Sequence, residues 1–295
     1  MATVHLVDAS PYIFRAHFSL PSSIKTPGGV PAAASYGFAS FLLKLIADEK
    51  PTHLGVAFDR NLSSSFRNEV YPAYKQQRVA TPPELEAQID TCLEIAGALG
   101  AATFIDDRYE ADDLIGTLCG HLEKAGHGAV IVTTDKDLAQ LVDERTTLFD
   151  FGKGLRFDRA AVLEKFGVRP DQITDFLGLA GDTVDNIPGI KGIGAKSAAE
   201  LLARFGHLED LYERLDELPW IAAIRGAKSL HAKLAANRDI AFLSKQLATV
   251  ARDAPVVEGT LKSLELRGAD PDKIEALFNR LGFNKIRERV AYGPR

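Results

Sequence analysis

The chain has 295 residues, 46% hydrophobic and 25% charged, with a net charge of −5. That is ordinary globular composition, with enough length for one large domain or two closely packed ones. No basic leader opens it and no stretch nears the roughly 18 apolar residues of a membrane span, so the cytoplasm is expected, beside the nucleoid in a bacterium, with no membrane partner. Cys92 and Cys119, both in apolar helical settings, do not suggest a disulfide framework or a zinc site.

Runs rich in Val and Ile predict strands at 3–8, 52–59, 101–106, 128–135 and 146–151. Residues 31–48 carry Phe38, Phe41, Leu42, Leu45 and Ile46 on one helical side. Residues 84–99 open on Thr81-Pro82-Pro83-Glu84, read as a capping box with proline at the first helical position, and close on Gly100. From about Arg169 the strand signals cease, and DQITDFLGLAG, AKSAAELLARFG, SLHAKLAANRDIAFLSKQLATV and DKIEALFNRLGF are helical. The expectation is an α/β fold: a mostly parallel central sheet flanked by helices over 1–168, then a helical subdomain over 169–295.

Acids gather where such a sheet binds ligands. Asp8, Asp59 and Asp135 end three strands, and the carboxyl edge of a parallel sheet is the usual ligand side. YEADD supplies Glu110, Asp112 and Asp113 after a fourth strand; a helix start explains one or two acids there, not three. Asp137 follows Asp135, and GDTVDN adds Asp182 and Asp185 from the helical half. Two bare carboxylates about 4 Å apart cost roughly 4 kcal/mol at an effective dielectric near 20, so nine converging acids require cations among them. All-oxygen donors favour Mg²⁺, with Mn²⁺ able to substitute, and the number of acids suggests two ions. Setting these nine aside turns the net charge from −5 to +4, so the rest of the chain is compatible with nucleic acid.

Basic and glycine-rich segments follow. Arg67, Lys75 and Arg78, with Tyr71 and Tyr74 between them, suit a phosphate backbone and unstacked bases; Phe14 and Arg15, just past Asp8, are similar candidates. NIPGIKGIGAKSA places Gly189, Gly192 and Gly194 around a short hairpin ahead of a helix, with Lys191, Lys196 and Ser197 beside them. Backbone N–H groups and a helix N-terminus there suit phosphate.

In this order, FDxxxxxSFR…YK, YEADD, TxDKDLxQL and GDxxDNIPGIKGIGxKxA closely resemble the 5′-nuclease domain of bacterial DNA polymerase I and the wider flap endonuclease family. The resemblance implies a metal-dependent nuclease that cuts branched DNA with a free 5′ end near the single-strand/duplex junction. It implies Asp8, Asp59, Glu110 and Asp112 at a first Mg²⁺ site and Asp113, Asp135, Asp137, Asp182 and Asp185 at or around a second. Arg67 and Lys75 would meet the scissile phosphate from the base of a helical arch at about 62–83, with Arg15 facing the same centre. The segment at about 182–205 would be a helix–hairpin–helix that grips duplex DNA and holds K⁺ through backbone carbonyls. With no polymerase sequence before Arg295, a free-standing, monomeric nuclease is expected, working beside a DNA polymerase and a ligase. The rival readings are a junction-binding protein without catalysis and a metal-dependent ribonuclease on a related core.

Overall fold

The computed structural model describes residues 1–60, 65–78, 81–255 and 259–292. β1 (Thr3–Asp8), β2 (Leu54–Asp59), β3 (Ala102–Asp106), β4 (Gly128–Val132), β5 (Thr146–Asp150) and β6 (Leu155–Phe157) form one sheet in the order β3-β2-β1-β4-β5-β6. Neighbours are parallel except β5 and β6. The fourth strand ends at Val132, short of the expected 128–135, which frees Thr133 to Asp135 to form the loop beyond it. The antiparallel β6 is three largely exposed residues with too little alternation to be read beforehand.

In chain order the helices of the first half are α1 (Ser10–Ser19), α2 (Ala33–Glu49), α3 (Phe66–Val70), α4 (Pro83–Ala98) and α5 (Ala111–Lys124). The second half adds α6 (Arg159–Phe166), α7 (Ile173–Ala180), α8 (Ala195–Phe205) and α9 (Leu208–Glu213). It closes with α10 (Ala227–Ala236), α11 (Arg238–Ala248), α12 (Pro271–Leu281) and α13 (Asn284–Arg287). The expected capping box ahead of α4 is absent: Pro82 occupies the cap position and has no side-chain acceptor to offer. The expected arch falls partly on residues 61–64 and 79–80, outside the described residues. Between them, α3 and the turns of 71–78 lie folded against the acidic edge.

Strand periodicity sorts the side chains. Val4 and Leu6 of β1, Ala57 of β2 and Ile131 of β4 face one core with Leu114, Ile115 and Leu118 of α5 and Leu177 and Leu201 of the helical half. Val7, Val56, Phe58 and Val132 face the other, against Ile13, Phe38, Leu42 and Ile95. Alternation then puts Asp8 and Asp59 on the α5 side, the side the helical half also covers.

The chain's end returns to the first half, which the division at 168 does not anticipate. Leu54 N–H donates to Leu264 O at 2.8 Å and Leu266 N–H to Thr52 O at 2.9 Å. Ile274, Leu277, Phe278 and Leu281 of α12 complete the core beneath α2 and α4, and each such burial is worth roughly 1.5–3 kcal/mol. Gly100 permits this closure: at φ +87°, a Cβ there would come within 2.2 Å of Gly268 O.

Candidate active site

Strand order reverses between β1 and β4, and the crevice at that switch point is where the acids meet. Asp8 ends β1, Asp59 ends β2, and the β4 loop carries Asp135 and Asp137. Two hydroxyls hold this layer. Thr133 Oγ1 donates to Asp8 Oδ2 at 2.8 Å, and Ser10 Oγ donates to Asp59 Oδ2 at 2.6 Å. Ala111 N–H, at the start of α5, donates to Asp59 Oδ1 at 2.7 Å. Sequence reasoning missed Ser10 and Thr133, although each lies two residues from an aspartate it flagged.

The charge in this layer is uncompensated. Burial and neighbouring Asp59 push Asp8 up to about 8. Burial, with Asp135 and Asp182 alongside, does the same to Asp137. Asp112 is raised well above the ordinary range by burial and by Asp135, Asp8 and Asp59, and among the described residues it has no hydrogen bond or ion pair of its own. Burial also raises Asp135, against the pull of the Asp137 backbone N–H. Asp137 Oδ1 is buried without a partner.

A second layer is fully compensated, and here three expectations are corrected. Arg67 is 3% exposed and does not stand at the mouth of the site. Its Nη1 and Nη2 each donate to Asp113 at 2.8 Å, Nη1 also reaches Glu110 at 3.2 Å, and Nε and Nη2 donate to Leu247 O and Thr249 O. Asp113, 0% exposed, also accepts from Glu110 N–H and Ala251 N–H. With both its oxygens engaged in this way, Asp113 is the anchor of a helix start, not a free metal ligand, and the planar guanidinium is committed to it. The aromatic expectation for Tyr74 is corrected too: it is buried, and its hydroxyl donates to Glu110 at 3.1 Å and Asp185 at 3.3 Å, leaving no face for a base.

Lys75 and Lys136 sit between the layers. Lys75 Nζ is 2.7 Å from Glu110 and 3.6 Å from Asp185. Burial would lower its pKa, but Glu110, Tyr74 and Asp185 outweigh that and raise it well above the ordinary value. Arg78 pairs with Asp185 at 2.5 Å. Burial would raise Asp185, yet Lys75 and Arg78 hold it below the ordinary carboxylate range. Lys136 pairs with Asp182 at 2.7 Å. Because ammonium and guanidinium groups take up these acids, the nine carboxylates do not form one ready-made cage. Among the described residues, no three potential ligands stand poised around a single ion. The unpaired layer nonetheless fits a divalent cation, since its donors are all hard oxygens, buried and mutually repelling, with one oxygen orphaned.

Backbone strain marks the seam. Lys75 (φ +55°) and Asn186 (φ +57°) both adopt the left-handed region. Lys75 N–H donates to Asp185 O at 3.0 Å, while Asn186 Nδ2 donates to Ala73 O at 2.6 Å.

The remaining candidates lie around this centre. Arg15 is exposed, sits 5.6 Å over the Tyr12 ring and packs on Gly152, with no ion pair to the acids among the described residues. Phe14 stacks on the exposed Phe18 at 6.4 Å, and Tyr71 is half-buried against the core. From Asp182 the chain passes through the hairpin, pinned by the buried Ile187, Ile190 and Ile193, and Gly189 N–H donates to Ser244 Oγ at 3.0 Å. At φ +56°, Gly189 runs so close to Gly181 that a Cβ would meet its N at 2.3 Å. Gly192 lies at the exposed tip and Gly194 caps α8; Lys191 and Lys196 are exposed and Ser197 half-buried.

A doubly wound sheet with an acidic crevice at its switch point, covered by a helical half that carries a glycine hairpin, defines a class of α/β enzyme folds, and comparison with known proteins places the chain within it. Residues 3–167 match the 5′-3′ exonuclease N-terminal resolvase-like domain and residues 168–272 the 5′-3′ exonuclease C-terminal SAM fold. The chain belongs to the 5′-3′ exonuclease family. It is 40% identical over 289 residues to DNA polymerase I of Bacillus subtilis, covering 97% of this chain and 32% of that one. DNA polymerase I of Pseudomonas aeruginosa is 42% identical over 285 residues, covering 96% and 31%. The chain thus spans about a third of the length of the curated relatives it matches. Among solved structures, T5 5′-exonuclease with bound zinc superposes at a TM-score of 0.67 with 21% identity, covering 97% of each chain. The catalytic core of Rad2 with DNA substrate superposes at 0.63 with 20% identity, covering 98% and 91%. Both share the fold.

Among the described residues, no helix is long and apolar enough to cross a membrane.

Proposed function

We propose that this chain is a structure-specific 5′-3′ exonuclease and flap endonuclease, hydrolysing DNA near a 5′ single-strand/duplex junction to leave 5′-phosphate and 3′-hydroxyl ends. The observation that carries the reading is the buried, uncompensated set Asp8, Asp112, Asp135 and Asp137 at the switch point of a 5′-3′ exonuclease fold. Asp8, Asp59, Asp112, Asp135, Asp137 and Asp182 would hold two Mg²⁺ ions, or Mn²⁺ in their place. When bound, these supply Lewis acidity to activate water and stabilise the departing oxygen.

The chain's own groups do the rest. Thr133 and Ser10 fix the orientation of Asp8 and Asp59 through their hydroxyls. Lys75 and Lys136 pair with Glu110 and Asp182 at the edge of the crevice and would be the cations nearest the reacting phosphate, where positive charge favours the transition state. Arg67 acts at one remove, clamping Asp113 and Glu110 so that α5 presents Asp112. The hairpin offers backbone N–H groups and Lys191 and Lys196 to the duplex, with K⁺ held by its carbonyls. A monomer working beside a polymerase that generates flaps and a ligase that seals the nick fits this chemistry. The test is a Mg²⁺ titration against a 5′-flap duplex and single-stranded RNA, with product lengths read at nucleotide resolution. Cleavage of the flap near its junction supports the reading; preference for the RNA, or binding without cleavage, favours the rivals.

A further inference from the structure

Two acid-free stretches lie side by side on the helical half. Residues 186–199 contain Lys191 and Lys196 but no Asp or Glu; residues 225–238 contain Arg225, Lys228, Lys233 and Arg238, again with none. In a chain of net charge −5, this is a concentrated departure. The two meet at the hairpin tip: Lys233 Nζ donates to Gly192 O at 3.3 Å, and a Cβ on Gly192 would come within 2.7 Å of that Nζ. On α10, the buried Ala227, Leu230 and Leu234 fix the inner face and leave Lys228 and Lys233 outward. Among the described residues, Arg225, Lys228, Lys233, Lys191 and Lys196 have no carboxylate partner. Arg238 differs, its guanidinium lying over Tyr212 and Phe242, and His231 faces Asp216 at 3.4 Å.

The order along the surface matters. The hairpin begins at the acids with Asp182, Asp185 and Asn186 and ends at the Gly192 tip, so α10 continues the path that leads away from the crevice. No large apolar side chain of α10 is exposed, as an apolar docking face would require. Spaced, unpaired cations with no apolar patch are the footprint of a polyanion backbone.

We propose that Lys228 and Lys233 of α10 extend the hairpin's phosphate-binding surface, so that a duplex crossing from the acids over Lys191 and Lys196 next meets Lys233 and then Lys228. This rests on the nuclease reading and adds a consequence to it: affinity depends on the length of the duplex arm behind the cut.

The test compares wild type with Lys228→Ala/Lys233→Ala by fluorescence anisotropy, without divalent ions, on 5′-flap substrates with short and long duplex arms across a salt series. On the long arm, the slope of log affinity against log salt should flatten by about 0.9 per lost phosphate contact, nearly 2 for the pair, with affinity down several-fold. The short arm should be unaffected, and Lys233→Arg should keep the wild-type slope, which a purely structural hold on Gly192 O does not predict. An unchanged slope in a variant that melts like wild type, or equal losses on both arms, overturns the proposal. A wild type that fails to cleave with Mg²⁺ yet keeps the arm-length dependence would remove the nuclease reading and leave the α10 surface standing; a cleaving wild type with no variant effect would do the reverse.

Discussion

Two groups of carboxylates lie next to each other in this molecule and behave in opposite ways. Asp113 and Asp185 are held by Arg67, Lys75 and Arg78, and every nearby charge has a partner. Asp8, Asp112 and Asp137 face other carboxylates, Asp59, Asp135 and Asp182 among them, and burial without a cation paired to them raises them. The residue type is the same and the distance between the groups is short. The partner, not the aspartate, decides which acids hold the fold together and which are left to bind an ion.

Mutations should separate the two groups. The largest effect is expected for Asp135→Asn: a fall in kcat of about three orders of magnitude or more, ~4 kcal/mol in barrier, with DNA binding retained. Single-turnover cleavage beside anisotropy measures both, and retained cleavage would assign the chemistry elsewhere. Arg67→Ala should act on the other axis, destabilising the protein by about 3–5 kcal/mol because it strands a buried Asp113. Chemical denaturation would reveal this. An Arg67→Ala protein as stable as wild type but unable to cleave would return Arg67 to the phosphate.

A pH series should show the third effect. Asp8 and Asp137 rise from 3.8 to about 8 on folding, so the stability they contribute is complete below the unfolded value and is lost as pH climbs through the folded one. Without metal, the melting temperature should fall between about pH 4 and pH 8; Mg²⁺ should reverse the fall, and Asp8→Asn should blunt it. A melting temperature that rises over that interval in EDTA would refute the bare-layer account. The smallest effect is expected for Thr133→Ala, which frees one oxygen of Asp8: about 1 kcal/mol, seen as a several-fold rise in the Mg²⁺ needed for half-maximal cleavage with little change at saturation.

The parallel sheet was legible because β1, β2 and β4 are buried along nearly their whole length and read as apolar runs, and the strand-end aspartates mark its ligand edge. The distinction between the two acidic groups was not legible. Asp112 and Asp113, adjacent at a helix start, look alike in sequence, and only Arg67, 46 residues from Asp113, tells them apart. Arg67 itself read as a phosphate contact because its sequence neighbours are basic and aromatic, whereas its actual partners include Leu247 O and Thr249 O, from 180 and 182 residues away. The return of α12 was hidden for the same reason: an amphipathic helix announces that it has an inner face, not which layer receives it.

The paired left-handed residues Lys75 and Asn186 have a mechanical consequence. Each such conformation costs of order 1–3 kcal/mol and persists only while its surroundings enforce it. Here each is enforced by the opposite segment, so neither side can relax without releasing the other. Whatever draws Lys75 away from Glu110 therefore also tugs the segment leading into the glycine hairpin, and the edge of the crevice and the hairpin are tied together as one latch.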